Sequence, residues 1–171
     1  MSFFEPATNT YPYFHFVRST NFTTSTNANT DNPMIFDSLV TNNGSGYSTA
    51  TGTFTVPAGR PGLYYFTLSI GILNTGAAMA VPPTISYGFK ATISSVVKYY
   101  TIQDAWAHQT TPFIETSASY GAIIQLSAGD TVLPYYNNGA TAARAMTIAG
   151  PTTSPVYHRS SVSGCLVCAT Y

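Results

Sequence analysis

The stretch Gly62 to Ile70 reads Gly-Leu-Tyr-Tyr-Phe-Thr-Leu-Ser-Ile and alternates between two kinds of position. After the glycine, the even-numbered positions carry Tyr64, Phe66, Leu68 and Ile70. Because successive side chains of an extended chain point to opposite sides, these four share one face, and the intervening residues, which end in threonine and serine, share the other. The stretch therefore predicts a β-strand with one face against a hydrophobic core.

Seven further segments show the same period of two, and they are separated by turn sequences rich in Gly and Asn. The segments are Tyr13 to Arg18, Met34 to Val40, Tyr87 to Ile93, Val96 to Ile102, Ala122 to Leu126, Thr131 to Tyr136 and Val162 to Tyr171. The turn sequences include Asn42-Asn43-Gly44, Ala128-Gly129-Asp130 and Asn137-Asn138-Gly139. No segment has a convincing helical period, so we expect about ten short strands in an all-β antiparallel sandwich or barrel.

The chain of 171 residues has the length of a single domain. Residues 1–30 are predicted to contain an N-terminal strand near residues 13–18, which belongs to that domain, and a long loop or arm that includes the polar tract 23–27. Residues 31–171 are predicted to form the remainder of the same domain.

Charged residues make up only 7% of the chain, with six Lys plus Arg matched by six Asp plus Glu. A typical soluble domain has about 25%. Binding to nucleic acid, or to a membrane through a basic helix, needs a clustered excess of positive charge that this chain lacks. No apolar run approaches the ~18 residues of a spanning helix. We therefore expect neither nucleic-acid binding nor membrane insertion.

Three histidines, His15, His108 and His158, are the side chains that ordinarily titrate near neutral pH. An enzyme would pair one of them with a nucleophile or a carboxylate. The sequence has no GxSxG, HExxH or glycine-rich phosphate-binding motif, and the histidines are too isolated for the metal centre of a jelly-roll enzyme. We predict that the protein is not an enzyme.

Cys165 and Cys168 form one CxxC sequence without a second pair, whereas zinc ordinarily takes four ligands. Residues three apart in a regular strand point to opposite faces, which makes a disulfide between them awkward. We interpret both cysteines as small buried hydrophobic residues.

An ordered series of short motifs runs through the chain. It comprises Asn32-Pro33-Met34-Ile35-Phe36-Asp37, Asn42-Asn43-Gly44-Ser45-Gly46-Tyr47, Thr51-Gly52-Thr53-Phe54-Thr55-Val56-Pro57, Pro61-Gly62-Leu63-Tyr64-Tyr65-Phe66, Leu126-Ser127-Ala128-Gly129-Asp130-Thr131-Val132 and Val162-Ser163-Gly164-Cys165-Leu166-Val167. The series resembles the globular head of the complement C1q family, within the superfamily that includes tumour necrosis factor, and it extends over Tyr13 to Tyr171. The resemblance implies an antiparallel ten-stranded jelly-roll sandwich that forms a homotrimer.

The resemblance also implies calcium near the trimer axis, held by aspartates of the upper loops. Asp104 follows the predicted strand Val97 to Ile102 and occupies about the place of one such aspartate. One carboxylate supplies few of the six to eight oxygens that calcium takes, although three-fold symmetry would multiply it. A turn-capping or solvated Asp104 is the alternative interpretation.

Tyrosine is abundant, at thirteen residues, and the predicted loops are rich in Ser, Thr, Asn and Gly. Surfaces of this composition bind through rigid aromatic contacts and adaptable hydrogen bonds. The candidate ligand-binding residues, for a protein or a carbohydrate, are Trp106, His108, Tyr135, Tyr136 and Asn137. The alternative is that tyrosines fill the surface between subunits.

These observations lead to two hypotheses of function. The first is a non-enzymatic trimeric recognition head that binds its ligand through apical loops, with three weak sites combined by avidity. The alternative is a structural or receptor-binding component of a virus, phage or spore surface, as a jelly-roll shell or fibre head.

The start of the chain, Met1 to Pro6, bears on where the protein is found. A secretory signal has a basic flank followed by an apolar stretch, and these residues show neither. We expect an extracellular or particle-surface location, reached by non-classical export or as part of a virion.

Overall fold

In the computed structural model the described residues are 11–26, 30–44, 46–73, 84–105, 115–137, 144–148, 150 and 160–170. They form twelve β-strands, and every pairing between them is antiparallel. The strands are β1 (Tyr13–Val17), β2 (Phe22–Thr26), β3 (Asn32–Pro33), β4 (Ser38–Asn43), β5 (Phe54–Thr55), β6 (Gly62–Leu73), β7 (Thr84–Ile93), β8 (Val96–Ala105), β9 (Glu115–Leu126), β10 (Thr131–Asn137), β11 (Arg144–Ile148) and β12 (Ser161–Ala169).

The strands lie in two sheets. The seven-stranded sheet, called the large sheet below, has the order β2-β11-β6-β12-β1-β4, with β9 also paired to β6. The five-stranded sheet, called the small sheet, has the order β3-β10-β7-β8, with β5 also paired to β10. The inner faces of the two sheets enclose one hydrophobic core, as expected for a β-sandwich.

The stretch that opened the sequence analysis lies in β6 and supplies the middle of this core. Tyr64, Phe66, Leu68 and Ile70 are each 1% exposed, which confirms the predicted alternation. Their rings and side chains pack against those of other strands; the Phe66 ring centroid lies 5.6 Å from that of Phe89 on β7, in the small sheet. Aromatic contacts of this kind add to the free energy gained by burial.

The prediction of ten strands differs from the twelve found in the described residues. Two of the strands that the sequence did not indicate, β3 and β5, are only two residues long, too short to give a periodic pattern in the sequence. The predicted loop or arm in residues 1–30 also contains a strand, because residues 22–26 pair with β11. The prediction of a strand near residues 13–18 is confirmed by β1.

The carboxylate of Asp130 stabilises two turns at one end of the small sheet. Its oxygens accept hydrogen bonds from the backbone N–H groups of Ser94 and Ser127, at 2.9 and 2.7 Å. Ser94 and Ser95 form the β7–β8 turn with φ angles of 50° and 66°, a conformation that is uncommon without glycine. Asp130 therefore stabilises two neighbouring turns, and this end of the sheet, the basal end, is structural.

Candidate functional site

Asp104 and Asn137 lie at the opposite end of the small sheet, the apical end, where β7 begins and β8 and β10 finish. On β7, Ser86 is opposite Asn137 of β10, and its neighbour Ile85 is opposite Asp104 of β8. The described residues of β8 and β10 therefore finish at the same end of the sheet. Trp106 and His108 lie outside the described residues.

Three of the predicted ligand-binding residues, Tyr135, Tyr136 and Asn137, lie in a strand and not in a loop. Tyr135 and Tyr136 are both in β10 and only 3% and 1% exposed, so neither ring is available for stacking on a ligand. Their alternation explains why: Tyr136 faces the core, whereas Tyr135 faces outward and is covered by other side chains of the small sheet. Asn137, the last residue of β10, is partly exposed, and its role in binding remains a prediction.

The Asp31 carboxylate accepts hydrogen bonds from three side chains on the outer face of the small sheet, one from each of three strands. Its Oδ2 atom accepts hydrogen bonds from Lys90 Nζ of β7 at 2.9 Å and from the Tyr99 hydroxyl of β8 at 2.8 Å. Its Oδ1 atom accepts one from Asn137 Nδ2 of β10 at 3.2 Å. Tyr99 contacts the Tyr135 ring edge-on, with centroids 5.5 Å apart. These five residues are called the Asp31 cluster.

The charge state of the cluster follows from its hydrogen bonds. Burial acts to raise the pKa of the Asp31 carboxyl, but the hydrogen bonds from Lys90, Tyr99 and Asn137 outweigh it and hold that pKa below its usual value. The hydrogen bond to Asp31 raises the pKa of Lys90. Burial raises the pKa of Tyr135 to about 12. At neutral pH the cluster therefore contains one carboxylate and one ammonium group and has no net charge.

Replacing Asp31 by Asn is expected to lower the free energy of unfolding at pH 7 by about 1–2 kcal/mol, because three donors lose a carboxylate acceptor. A depressed pKa gives stability that is present above the unfolded value of 3.8 and lost as the pH falls through the lower folded value. The difference between the two proteins should therefore shrink in acid. Urea unfolding of both proteins at pH 7 and at successively lower pH measures it; equal midpoints at pH 7 would contradict the prediction.

The sequence analysis found only Asn137 and Tyr135 of the five cluster residues. Asp31, Lys90 and Tyr99 were missed because the cluster joins residues up to 106 positions apart. The alternation of Tyr87 to Ile93 and of Val96 to Ile102 does place Lys90 and Tyr99 on the face opposite the core residues, which is the one signal the sequence offers.

Calcium at Asp104 remains a prediction. The backbone of Asp104 lies in β8, opposite Ile85. Among the described residues, no group of three or more His, Cys, Asp or Glu side chains could hold a metal ion. A site built from one carboxylate per subunit would need the three-fold axis to complete it, and a melting temperature that a chelator leaves unchanged would contradict it.

The large sheet has an outer face with an apolar row across its middle. Successive strand partners in this row are Asn43 of β4, Tyr13 of β1, Cys165 of β12, Tyr65 of β6 and Ile123 of β9. All five lie on the face opposite the core, and three of them, Tyr13, Tyr65 and Ile123, are large hydrophobic residues that are 43%, 41% and 60% exposed. Exposed large hydrophobic residues close together at the surface are a common mark of a protein–protein contact.

Each strand that carries this row has a long stretch without any Lys, Arg, Asp or Glu. These stretches are 13–17, 38–43, 62–71, 117–126 and 161–169. Gly121 lies on this face beside the Tyr65 side chain. A Cβ atom at position 121 would lie 3.0 Å from the Tyr65 hydroxyl oxygen. The absence of that Cβ lets the Tyr65 ring lie over β9. Within these five ranges, the outer face of the large sheet therefore carries no Lys, Arg, Asp or Glu side chain.

The two cysteines are not the buried hydrophobic residues that we expected. Cys165 is partly exposed, Cys168 is exposed, and both are free thiols. A β-bulge at Val167 shifts the register, so that Cys168 pairs with Leu63 and Cys165 with Tyr65. Because both partners face outward, the bulge turns both thiols to the outer face of the large sheet.

A second apolar surface lies along β8. Within the described part of the chain β8 pairs with β7 alone, in an unbroken register of ten residues. Val96 and Ile102 are exposed on the core side of this strand, whereas Val97 and Tyr99 are exposed on the outer face of the small sheet. Lys98, between Val97 and Tyr99, is exposed as well, so the apolar side chains are interrupted by a charge. The backbone edge of such a strand is a surface for association with another chain.

A second ionic group joins the end of β1 to the segment before β4. The Arg18 guanidinium donates to the carbonyl oxygens of Thr20 and Ile35, both at 3.0 Å, and lies 3.3 Å from the Asp37 carboxylate. Burial acts to raise the pKa of Asp37, but hydrogen bonds from Ser19 and the charge of Arg18 lower it overall. Because these groups already satisfy one another, we assign them to the fold.

The described residues include no helix with the length and apolarity needed to cross a membrane.

Two antiparallel sheets of this order, packed around an aromatic core, define an all-β jelly-roll sandwich. A family model described as the C1q domain matches residues 14–150. The chain therefore belongs to the C1q domain family, and the resemblance stated from the motifs is confirmed.

Solved structures agree with this assignment of the fold. The globular domain of a zebrafish complement 1qA protein is 18% identical, with a TM-score of 0.59 over 93% of this chain and 99% of that one. The Eiger TNF of S. frugiperda is 15% identical, with a TM-score of 0.62 over 94% and 95% of the two chains. Murine APRIL is 13% identical, with a TM-score of 0.59 over 92% and 99%.

Proposed function

We propose that the protein is a non-enzymatic recognition head that forms a homotrimer and binds a protein or carbohydrate ligand at its apical end. The observation that carries the proposal is the uncharged outer face of the large sheet, with its row of exposed apolar side chains. Such a face gains free energy from burial at roughly 25 cal/mol per Å² of apolar surface and loses almost nothing to the desolvation of charges.

A trimer needs two different surfaces that fit each other, because a three-fold ring is built from head-to-tail contacts. The outer face of the large sheet is one of these surfaces. The other is the side of the sandwich where β8 and β9 lie next to each other, which exposes Val96 and Ile102 together with Lys98. Each subunit would place this side against the large sheet of its neighbour, and the ring closes after three copies.

The apical end would then carry the ligand sites of all three subunits. Support comes from the shared end at which β8 and β10 finish, where Asp104 and Asn137 are opposite neighbouring residues of β7. Trp106 and His108 come soon after Asp104 in the sequence and remain candidate ligand-binding residues. Three weak sites on one rigid trimer give a large gain in avidity. The same proposal puts the protein outside the cell or on the surface of a particle.

The non-enzymatic part of the proposal is supported by the two ionic groups of the described structure. In the Asp31 cluster and around Arg18, each carboxylate already accepts hydrogen bonds from neighbouring donors. A general base needs a carboxylate or imidazole directed at a substrate. In both groups the carboxylate is instead paired with a cation of the same chain and its pKa is lowered, which makes it a weak base.

The second candidate function is a structural component of a virus, phage or spore surface. The regular edge of β8 favours it, because copies that pair through this edge, instead of packing it inside a trimer, would extend the assembly beyond three copies. Sedimentation velocity separates the candidates: a single trimeric species supports the recognition head, and larger assemblies, with particles in the electron microscope, support the structural component. A stable monomer at working concentration would contradict both.

A further inference from the structure

The Tyr99 side chain is held in one orientation and yet remains half-exposed. Its ring is 52% exposed, while the ring of Tyr135 beneath it is only 3% exposed. The hydroxyl of Tyr99 is fixed by its 2.8 Å hydrogen bond to Asp31, and the ring meets Tyr135 edge-on. A ring held in this way loses little conformational entropy when a ligand stacks on it.

The Asp31 carboxylate lies at the hydroxyl end of this ring, and the Lys90 ammonium lies over one ring face, 5.6 Å from the centroid, so a ligand would stack on the other face. The Asp31 and Lys90 side chains are 22% and 30% exposed and form an ion pair at 2.9 Å. An ammonium group has three N–H donors and a carboxylate about four acceptor positions, so the pair has capacity for further hydrogen bonds beyond those within the cluster. Because the two charges cancel, the surroundings favour a neutral ligand that both donates and accepts.

The size of the exposed surface limits the ligand. A stable protein partner buries about 800 Å² on each side and relies on several aromatic or arginine anchors. On the outer face of the small sheet, among the described residues, one fixed aromatic ring stands beside one ion pair. This combination matches one pyranose ring: its C–H face carries partial positive charge and is attracted to the negative face of the aromatic ring.

We infer that the Asp31 cluster is a binding site for a neutral sugar residue, stacked on Tyr99 with its hydroxyl groups on Asp31 and Lys90. The inference rests on the recognition function proposed above, names the ligand class, and adds a site on the outer face of the small sheet to the apical residues. It needs only one subunit, because every residue of the cluster belongs to the same chain.

The test is binding of the whole protein to an array of neutral oligosaccharides that end in glucose, galactose, mannose or N-acetylglucosamine. The wild-type protein should bind at least one of them, and raising the salt from 50 to 500 mM should change the affinity by less than about twofold, because no net charge is neutralised. Tyr99→Ala should weaken binding at least about tenfold, as for the loss of a central aromatic anchor.

Two other variants separate stacking from loss of fold. Val97→Ala alters an exposed residue of the same strand face without removing a ring and should bind like the wild type. Tyr99→Phe keeps the ring and removes the hydroxyl, so it should retain most of the affinity while melting at a lower temperature. Equal binding by wild type and Tyr99→Ala, or binding only to anionic sugars, would overturn the inference. No binding to any neutral sugar by a protein that sediments as a trimer would overturn it too, and would leave the trimer proposal standing.

Discussion

Replacing Ile123 by Asp is expected to convert the trimer into monomers at micromolar concentration. The side chain is 60% exposed in the single subunit, so the folded subunit can accept the carboxylate in water. In the proposed trimer the same position is buried between apolar surfaces, where an unpaired charge costs about 3 kcal/mol or more. Each 1.4 kcal/mol is a factor of ten, so each interface weakens about a hundredfold, and the three-fold ring contains this change three times.

Sedimentation velocity of both proteins at several concentrations measures this effect, with circular dichroism to show that the variant is folded. Thr55→Asp is the matched control, because Thr55 is an exposed strand residue on the small sheet, away from the proposed interface. It adds the same charge and should remain trimeric. An Ile123→Asp protein that sediments as the wild-type trimer does would show that the outer face of the large sheet is not the interface.

The sequence predicted those parts of the fold in which a strand is long and faces water on one side only. Residues 62–70 meet both conditions, and alternation alone assigned each side chain to its correct face. The strand β2 was missed, since a run of Thr and Ser shows no contrast between faces. The strands β3 and β5 were missed because each has only two residues, which cannot show a period.

The cysteines show a different limit of sequence analysis. Which face Cys168 occupies depends on one unpaired residue, Val167, in the pairing of β12 with β6. A shift of one position moves every following side chain to the opposite face. Nothing in the sequence Cys-Leu-Val-Cys marks that shift, so the expectation for a regular strand put the two thiols on opposite sides.

The candidate site was predicted only in part, for a related reason. Asn137 was found because the turn sequence that follows it is visible locally. Its partners Asp31 and Lys90 come from distant parts of the chain, and only the strand order β3-β10-β7 brings them together. Local patterns therefore located one end of the sheet, whereas the contacts across the sheet required the structure.

The terminal motif of the C1q resemblance contains Gly164, and the structure gives a physical reason for a residue without a side chain there. Gly164 is in β12, opposite Phe14 of β1 and Phe66 of β6, and it faces the core. A Cβ atom at this position would lie 2.6 Å from Cε1 of Phe14 and 2.8 Å from Cδ1 of Phe66. The two rings thus occupy the space that a side chain would need.

Replacing Gly164 by Val is expected to lower the free energy of unfolding by about 3 kcal/mol or more, because three added carbons must displace two packed rings. For a domain of this size, that loss lowers the melting temperature by about 6–12 °C. Calorimetry at equal protein concentration measures it. Thr55→Val places the same side chain at an exposed strand position and should change the free energy by less than about 0.5 kcal/mol. If both variants melted with the wild type, the Phe14 and Phe66 rings could move aside freely, and the motif glycine would have to be explained by something other than packing.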